Sequence, residues 1–271
     1  MPIAAKVGPG PAPAHDLAIP EKAPNWRREI KLLVRPELRE EILSWLAEVM
    51  TPDPQVSNPY RISSLYYDTP DMAVYRHKKD GVEERFKLRV RTYPGAQDSS
   101  EGVLEIKWKV GTVSWKDRYR APLQQLEGLI SGALSTNVFP PLARLLARYP
   151  FEPKLIVDYQ RSAFQDRDGS PLRVTLDGPV RTRSCARIDD LALPGQRPYL
   201  VADGYLVLEV KFRDQLPFWL PHLAQRWDLP QLPFSKYIEA VHKILERHPY
   251  DLQFAQIKDI NDDVLAGILW R

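Results

Sequence analysis

A chain of 271 residues can bury a substantial core, and its single cysteine, Cys185, excludes an intramolecular disulfide framework and a cysteine-based zinc site. No apolar run approaches the roughly 18 residues that span a bilayer, and the first residues lack a signal-peptide pattern, so a cytoplasmic protein with no membrane segment of its own is expected. The net charge of +3 does not suggest nucleic acid, but it is unevenly spread: from Arg85 to Arg120 nine Lys/Arg stand against four Asp/Glu, a surplus of five that leaves the rest of the chain negative. An anion is the expected partner of that segment.

Residues 1–24 are rich in Pro and Ala without an apolar period and predict a disordered arm, with residues 25–271 forming a single domain. WRREIKLLV reads as a strand. Pro36 then opens PELREEILSWLAEVM, where Leu38, Ile42, Trp45, Leu46 and Val49 recur at helical spacing. From Tyr60 the segments RISSLYYD, RFKLRVRTY, GVLEIKWKV and VSWKDRYRAP are rich in β-branched and aromatic residues and predict strands joined by short connections. Residues 123–148 look helical. Strands resume in KLIVDYQRSAFQD, LRVTLDGPVRTR and YLVLEVKF, with Asp168-Gly169 as a tight turn. Helices over about 218–228 and from Ser235 follow, and DINDDVLAGILW predicts a short closing helix. Strands outnumber helices and run in antiparallel fashion, which predicts an α+β fold. Its core would be a closed eight-stranded antiparallel β-barrel with flanking helices.

Side chains alternate across a strand, so Arg85, Lys87, Arg89 and Arg91 share one face and Phe86, Leu88 and Val90 the other. The division recurs for Glu105, Lys107 and Lys109, and for Lys116, Arg118 and Arg120. With carboxylates included it recurs again in Arg27, Glu29 and Lys31, in Arg173, Thr175 and Asp177, and in Glu209, Lys211 and Arg213. Like charges opposite one another destabilise a sheet, so several such faces together require a compensating anion. Arg offers a planar bidentate fork and Lys a compact charge, both suited to phosphoryl oxygens. Phe86 and Trp108 fall on the opposite face, which removes the stacking platforms of a nucleic-acid site. Walker and protein-kinase motifs are absent, so a bound nucleotide must be held by side chains.

The ordered set REIKLLV, YRISSLYYDTPDMAVY, RFKLRVRTY, LEIKWK, WKDRYR, YQRSAFQ, LRVTLD, LEVKF and FSKYIEAVHKI resembles the VTC (vacuolar transporter chaperone) domain. That domain is the polyphosphate polymerase branch of the triphosphate tunnel metalloenzymes, relatives of the CYTH enzymes. The match runs from about Arg27 to His248. The resemblance implies an eight-stranded tunnel that takes ATP and, with Mn²⁺ or Mg²⁺, transfers the γ-phosphoryl to a growing polyphosphate. It assigns phosphate contacts to Lys31, Arg89, Arg91, Lys107, Lys116, Arg161 and Arg173. Arg118 and Lys211 stand on the same charged faces. Lys236, with Ser235 beside it, would lie near the transferred phosphate, with Arg89 and Arg91 sharing the catalytic role. Glu209 would carry the metal, with Glu105 as its second carboxylate and Glu29 or Asp177 in reserve. Where relatives can carry a further Lys before the SK pair, this chain has Pro233. Any membrane partner for product export would be a separate protein.

Two rivals keep the cationic face. One is an inorganic triphosphatase that uses water as acceptor, and the other a polyphosphate or inositol-polyphosphate binding module without turnover. Asp68 in YYDTP reads as a turn or capping residue. The histidines 77, 222, 242 and 248 show no metal spacing, and Cys185, between Arg183 and Arg187, reads as a loop thiol whose pKa the neighbouring cations would lower.

Overall fold

The computed structural model describes residues 28–56, 58–93, 101–111, 113–191, 198–213, 215–249, 251–254 and 257. The N-terminal arm, Arg27 and the DINDDVLAGILW segment lie outside the described residues. Among the described residues the strands are β1 (Arg28–Val34), β2 (Thr51–Pro52), β3 (Tyr60–Asp68), β4 (Glu84–Thr92), β5 (Glu101–Val110) and β6 (Val113–Pro122). They continue with β7 (Glu152–Gln165), β8 (Arg173–Asp177), β9 (Arg181–Ser184), β10 (Tyr199–Leu200) and β11 (Leu206–Phe212). The α-helices are α1 (Arg39–Val49), α2 (Ala73–Lys79), α3 (Leu123–Ile130), α4 (Pro140–Leu146), α5 (Leu220–Arg226) and α6 (Lys236–Arg247).

Eight strands form one antiparallel path, β1-β11-β8-β7-β3-β4-β5-β6, as the alternating segments predict. The predicted closure is corrected: β1 and β6 end the path and do not pair. The outer edge of β1 is already occupied. Leu33 donates its amide to the Pro230 carbonyl at 3.0 Å, Leu232 donates to the Lys31 carbonyl at 3.3 Å, and Leu32 bridges to Gln231. An edge that has spent its donors and acceptors on a loop cannot also close a barrel. The sheet is therefore a curled trough whose two ends approach each other through side chains, as in the 3.9 Å between Lys107 Nζ on β5 and Glu29 on β1.

The apolar alternates pack outward. Leu88, Val90, Leu104, Ile106 and Trp108 join Leu123, Leu126, Leu129, Leu142 and Leu145 of α3 and α4 in one buried cluster. Gly102 permits the close approach of α3, because a Cβ there would stand 2.7 Å from a methyl of Leu123. Leu32, Val34, Val174, Leu176, Leu208 and Val210 form a second cluster with Ile42 and Leu46 of α1 and Leu220, Leu223 and Trp227 near α5. The segment LRVTLDGPVRTR divides into β8 and β9, since Gly178 takes φ +140°, a glycine conformation, and Pro179 has no N–H for a ladder. The short helix α2 has no sequence period to announce it. Its first turn is instead capped from upstream by Asp68 and Thr69.

Candidate functional site

Strand register decides which inward charges meet. Across β4, β5 and β6 one row sets Lys87 opposite Lys107 and Lys107 opposite Lys116. The next row sets Arg89 opposite Glu105 and Glu105 opposite Arg118. The second row is balanced: the buried Glu105 pairs with Arg89, with Arg118 at 2.9 Å and with Lys116 at 3.6 Å. Burial alone would raise the Glu105 pKa, yet Arg89, Lys116 and Arg91 hold it far below the usual carboxylate range. The lysine row is not balanced. Desolvation, then repulsion from Lys107, Lys31 and Arg89, pushes the Lys87 ammonium well below its ordinary pKa. Lys116, at the sheet's edge, is also lowered well below, by partial desolvation and repulsion from Arg89, Lys211 and Lys107 that together outweigh Glu105. Desolvation lowers Lys107 as well, against the attraction of Glu29.

The facing wall, β1-β11-β8-β7, carries the carboxylates. Glu209 lies opposite Lys31 and Thr175, and its carboxylate pairs with Lys211 at 2.7 Å and approaches Arg161 at 3.9 Å. Desolvation opposes its ionisation, but Lys211, Lys236, Lys31 and Arg161 hold its pKa well below the ordinary value. Asp177 is fully buried. Arg161 grips it through two nitrogens, each at 2.6 Å, and Lys236 reaches it at 2.7 Å. Burial tends to lower the Lys236 pKa, but Asp177, Tyr159 and Glu209 raise it above the lysine range. The cation at the start of α6, a costly place beside a helix dipole, thus has its anion in Asp177.

All the predicted site residues lie on inward-facing register positions or at the start of α6. Lys31 donates to the Phe234 carbonyl at 2.9 Å, in the segment that carries Pro233, and Lys87 donates to Ser235 Oγ at 2.8 Å. Arg91 is buried against Ser64 and Tyr93, and Arg173 pairs with Asp53 at 2.8 Å at the end of β8. Glu105 and Glu209 sit on different walls, and the contacts of Glu105 are cations. Among the described residues no group of three or more His, Cys, Asp or Glu is arranged to hold a metal ion. Glu209 nonetheless has oxygen neighbours suited to a hard cation: Glu29 and Asp177 couple to it electrostatically, and the buried Thr175 hydroxyl opposite it has no hydrogen-bond partner.

Sequence reasoning missed the inward tyrosines. Arg89 donates to the Tyr66 hydroxyl at 3.0 Å, Arg161 lies 5.4 Å from the centre of the Tyr159 ring, and Lys236 Nζ lies 4.8 Å from the same ring. Alternation carried the signal, since Tyr159 stands two residues from Arg161 on β7. Lys87 was legible as a cation but not as the head of a like-charged row. The expectation for Cys185 is corrected: its buried thiol is pushed up to about 12 by desolvation, and Asp190 adds to the shift. Phe86 and Trp108 lie in the core, as their face predicts.

A profile of the VTC domain matches residues 26–245. The chain belongs to the VTC domain family. This VTC domain is 24% identical over 235 residues to vacuolar transporter chaperone complex subunit 4 of Trypanosoma brucei brucei, a match covering 70% of the chain and 29% of that relative. Among solved structures it is similar to a candidate adenylate cyclase from Bacillus halodurans, with a TM-score of 0.51 at 12% identity over 84% of this chain and 99% of that one. A candidate adenylyl cyclase from Hippeastrum, described as having a dominant triphosphatase activity, gives a TM-score of 0.47 at 15% identity over 78% and 93%. The first of these likenesses supports the antiparallel trough and bears on the fold alone.

Proposed function

We propose that this VTC domain is a metal-dependent polyphosphate polymerase that holds ATP in the trough and transfers its γ-phosphoryl to the end of a polyphosphate chain. The lysine row carries this reading. Three lysines abreast on adjacent strands span roughly 10 Å, wider than a single carboxylate or phosphate, and their mutual repulsion leaves a demand that a chain of phosphates meets.

In this reading Lys31, Lys107, Lys116, Arg118, Arg161, Arg173, Lys211 and Ser235 hold the phosphate chain. Arg89, Arg91 and Lys236 neutralise charge on the phosphoryl in transit, which is the main demand of such a transfer. The acceptor is a terminal phosphate oxygen, anionic at neutral pH, so no strong base is required. Glu209 would hold Mn²⁺ or Mg²⁺ with Thr175 and a neighbouring carboxylate, while Glu105, gripped by cations, would orient Arg89 and Arg118. Bound there, the metal would supply Lewis-acid polarisation of phosphoryl oxygens. Among the described residues no helix is long and apolar enough to cross a membrane. The name of the trypanosome relative supports a place in a larger complex, with a separate subunit as any membrane partner.

Incubation with ATP and Mn²⁺ or Mg²⁺, read by a polyphosphate gel and ADP release, tests the proposal. Long chains from the wild type, lost in Lys236→Ala and Glu209→Ala, are expected. Orthophosphate without polymer would replace the polymerase with a hydrolase, and no turnover with either metal would leave a binding module.

A further inference from the structure

The YYDTP segment does more than turn the chain. Asp68 is fully buried at the end of β3, and its carboxylate accepts from the amides of Thr69 at 2.7 Å, Val74 at 2.8 Å and Tyr75 at 2.9 Å. Thr69 Oγ1 accepts from the Ala73 amide at 2.8 Å, so the first turn of α2 is satisfied. The remaining partner comes from far along the chain: the Tyr237 hydroxyl donates to Asp68 Oδ2 at 2.6 Å. The helix that Asp68 caps makes a second contact with α6, with Tyr75 Oη 2.8 Å from His242 Nε2. Two contacts five residues apart fix both the axial position and the rotation of α6.

What α6 presents at its start is the site. Lys236 precedes Tyr237 and reaches Asp177, and Ser235 precedes Lys236 and accepts from Lys87. The Tyr237 ring stacks on Tyr66 at 5.1 Å, and Tyr66 accepts from Arg89. Capping α2 needs only the backbone amides. Joining that cap to Tyr237 adds a short charge-assisted bond in a buried setting, where such bonds are strongest. Among the described residues the groups that hydrogen-bond Asp68 are all neutral donors, and its burial is tolerated because they surround it; desolvation nevertheless raises its pKa.

We propose that Asp68 is a positioning residue that, through Tyr237, sets the start of α6 so that Lys236 and Ser235 stand against Asp177 and Lys87. Asp68 itself touches no substrate. The kinetic consequence rests on the phosphotransfer reading above, whereas the structural consequence does not.

The test compares Tyr237→Phe, Asp68→Asn and the double variant by three measurements: NMR titration of the Lys236 ammonium, kcat with ATP, and KM for ATP. Tyr237→Phe removes one oxygen and keeps the ring stack. In both single variants the Lys236 titration is expected to fall from its raised position towards the ordinary lysine range. Turnover should drop by about tenfold or more, as expected when a reacting-site group is misplaced. The KM for ATP should change by less than about threefold, because most of the phosphate-holding cations, Lys107 and Lys116 among them, lie on strands that the start of α6 does not carry. The double variant should be no worse than Asp68→Asn alone, since one bond is lost in either case. Unchanged Lys236 titration and kcat in folded Tyr237→Phe would overturn the proposal, as would losses that add in full in the double variant. If Asp68→Asn does not fold, Tyr237→Phe decides alone. A wild type without turnover sinks the polymerase reading, and the Lys236 titration still decides this one.

Discussion

The two walls of the trough solve opposite problems. On β4, β5 and β6 the inward positions hold nine Lys/Arg against two carboxylates, Glu101 and Glu105, and register sets Lys87, Lys107 and Lys116 abreast. On β1, β11, β8 and β7 every carboxylate has a cation at hand: Glu29 has Lys31 at 2.9 Å, Glu209 has Lys211, and Asp177 has Arg161 and Lys236. The second wall is electrostatically complete and the first is not. A half-buried wall of repelling lysines costs stability, and a protein that keeps one has charge reserved for a ligand.

The largest way to break this comparison is at the completed wall. Asp177→Asn leaves Arg161 and Lys236 buried without their anion, and the unfolding free energy should fall by about 3–5 kcal/mol, read from denaturant melts. A loss under about 1 kcal/mol would mean the pairs hold nothing together. At the incomplete wall the sign reverses. Lys107→Met should weaken tripolyphosphate binding by roughly 10- to 100-fold, the worth of a hydrogen bond to a charged group. The same change should raise the melting temperature of the ligand-free protein by about 2–4 °C, by relieving roughly 1 kcal/mol of repulsion. If both binding and stability fall together, the row is not repulsive and the contrast between the walls fails.

A third, smaller effect concerns protons. Lys87, Lys107 and Lys116 have depressed pKa values in the folded, ligand-free protein, so over the window between those values and about 10.4 the unfolded chain binds more protons. These lysines therefore make stability rise as pH climbs through that window, and they add nothing to the pH dependence below it. A phosphate chain restores the charged form, so binding takes up protons and its affinity falls as pH rises through the same window. Calorimetry of tripolyphosphate binding in two buffers of different ionisation enthalpy measures the uptake; none at all would falsify the depressed lysine row. The smallest effect belongs to the exposed rim, where Arg118→Ala should change stability by less than about 1 kcal/mol, because its pair with Glu105 is half in water.

Much of this was legible beforehand because strand alternation is a local property. The segment RFKLRVRT puts its cations on one face whatever surrounds it, and the apolar alternates Phe86, Leu88 and Val90 then have to meet a helix. Asp68 was legible as a cap because Asp so often caps in a DTP turn. Its bond to Tyr237 was not, since no local rule joins residues so distant in the chain. Closure failed as an expectation because strand count sets the path, whereas the loop at 230–232 decides whether an edge remains free.

By itself the sequence determined which side chains share a face, that the strands from Arg85 to Arg120 carry a cationic surplus, and that their aromatic residues lie in the core. Period-two geometry fixes all three within a few residues. Only the tertiary structure decided which charges oppose one another: Lys107 between two lysines, Glu105 between two arginines, Asp177 between Arg161 and Lys236. Register and helix docking are set by packing across the whole sheet, and it is there that a basic strand face became one balanced wall and one wall that needs an anion.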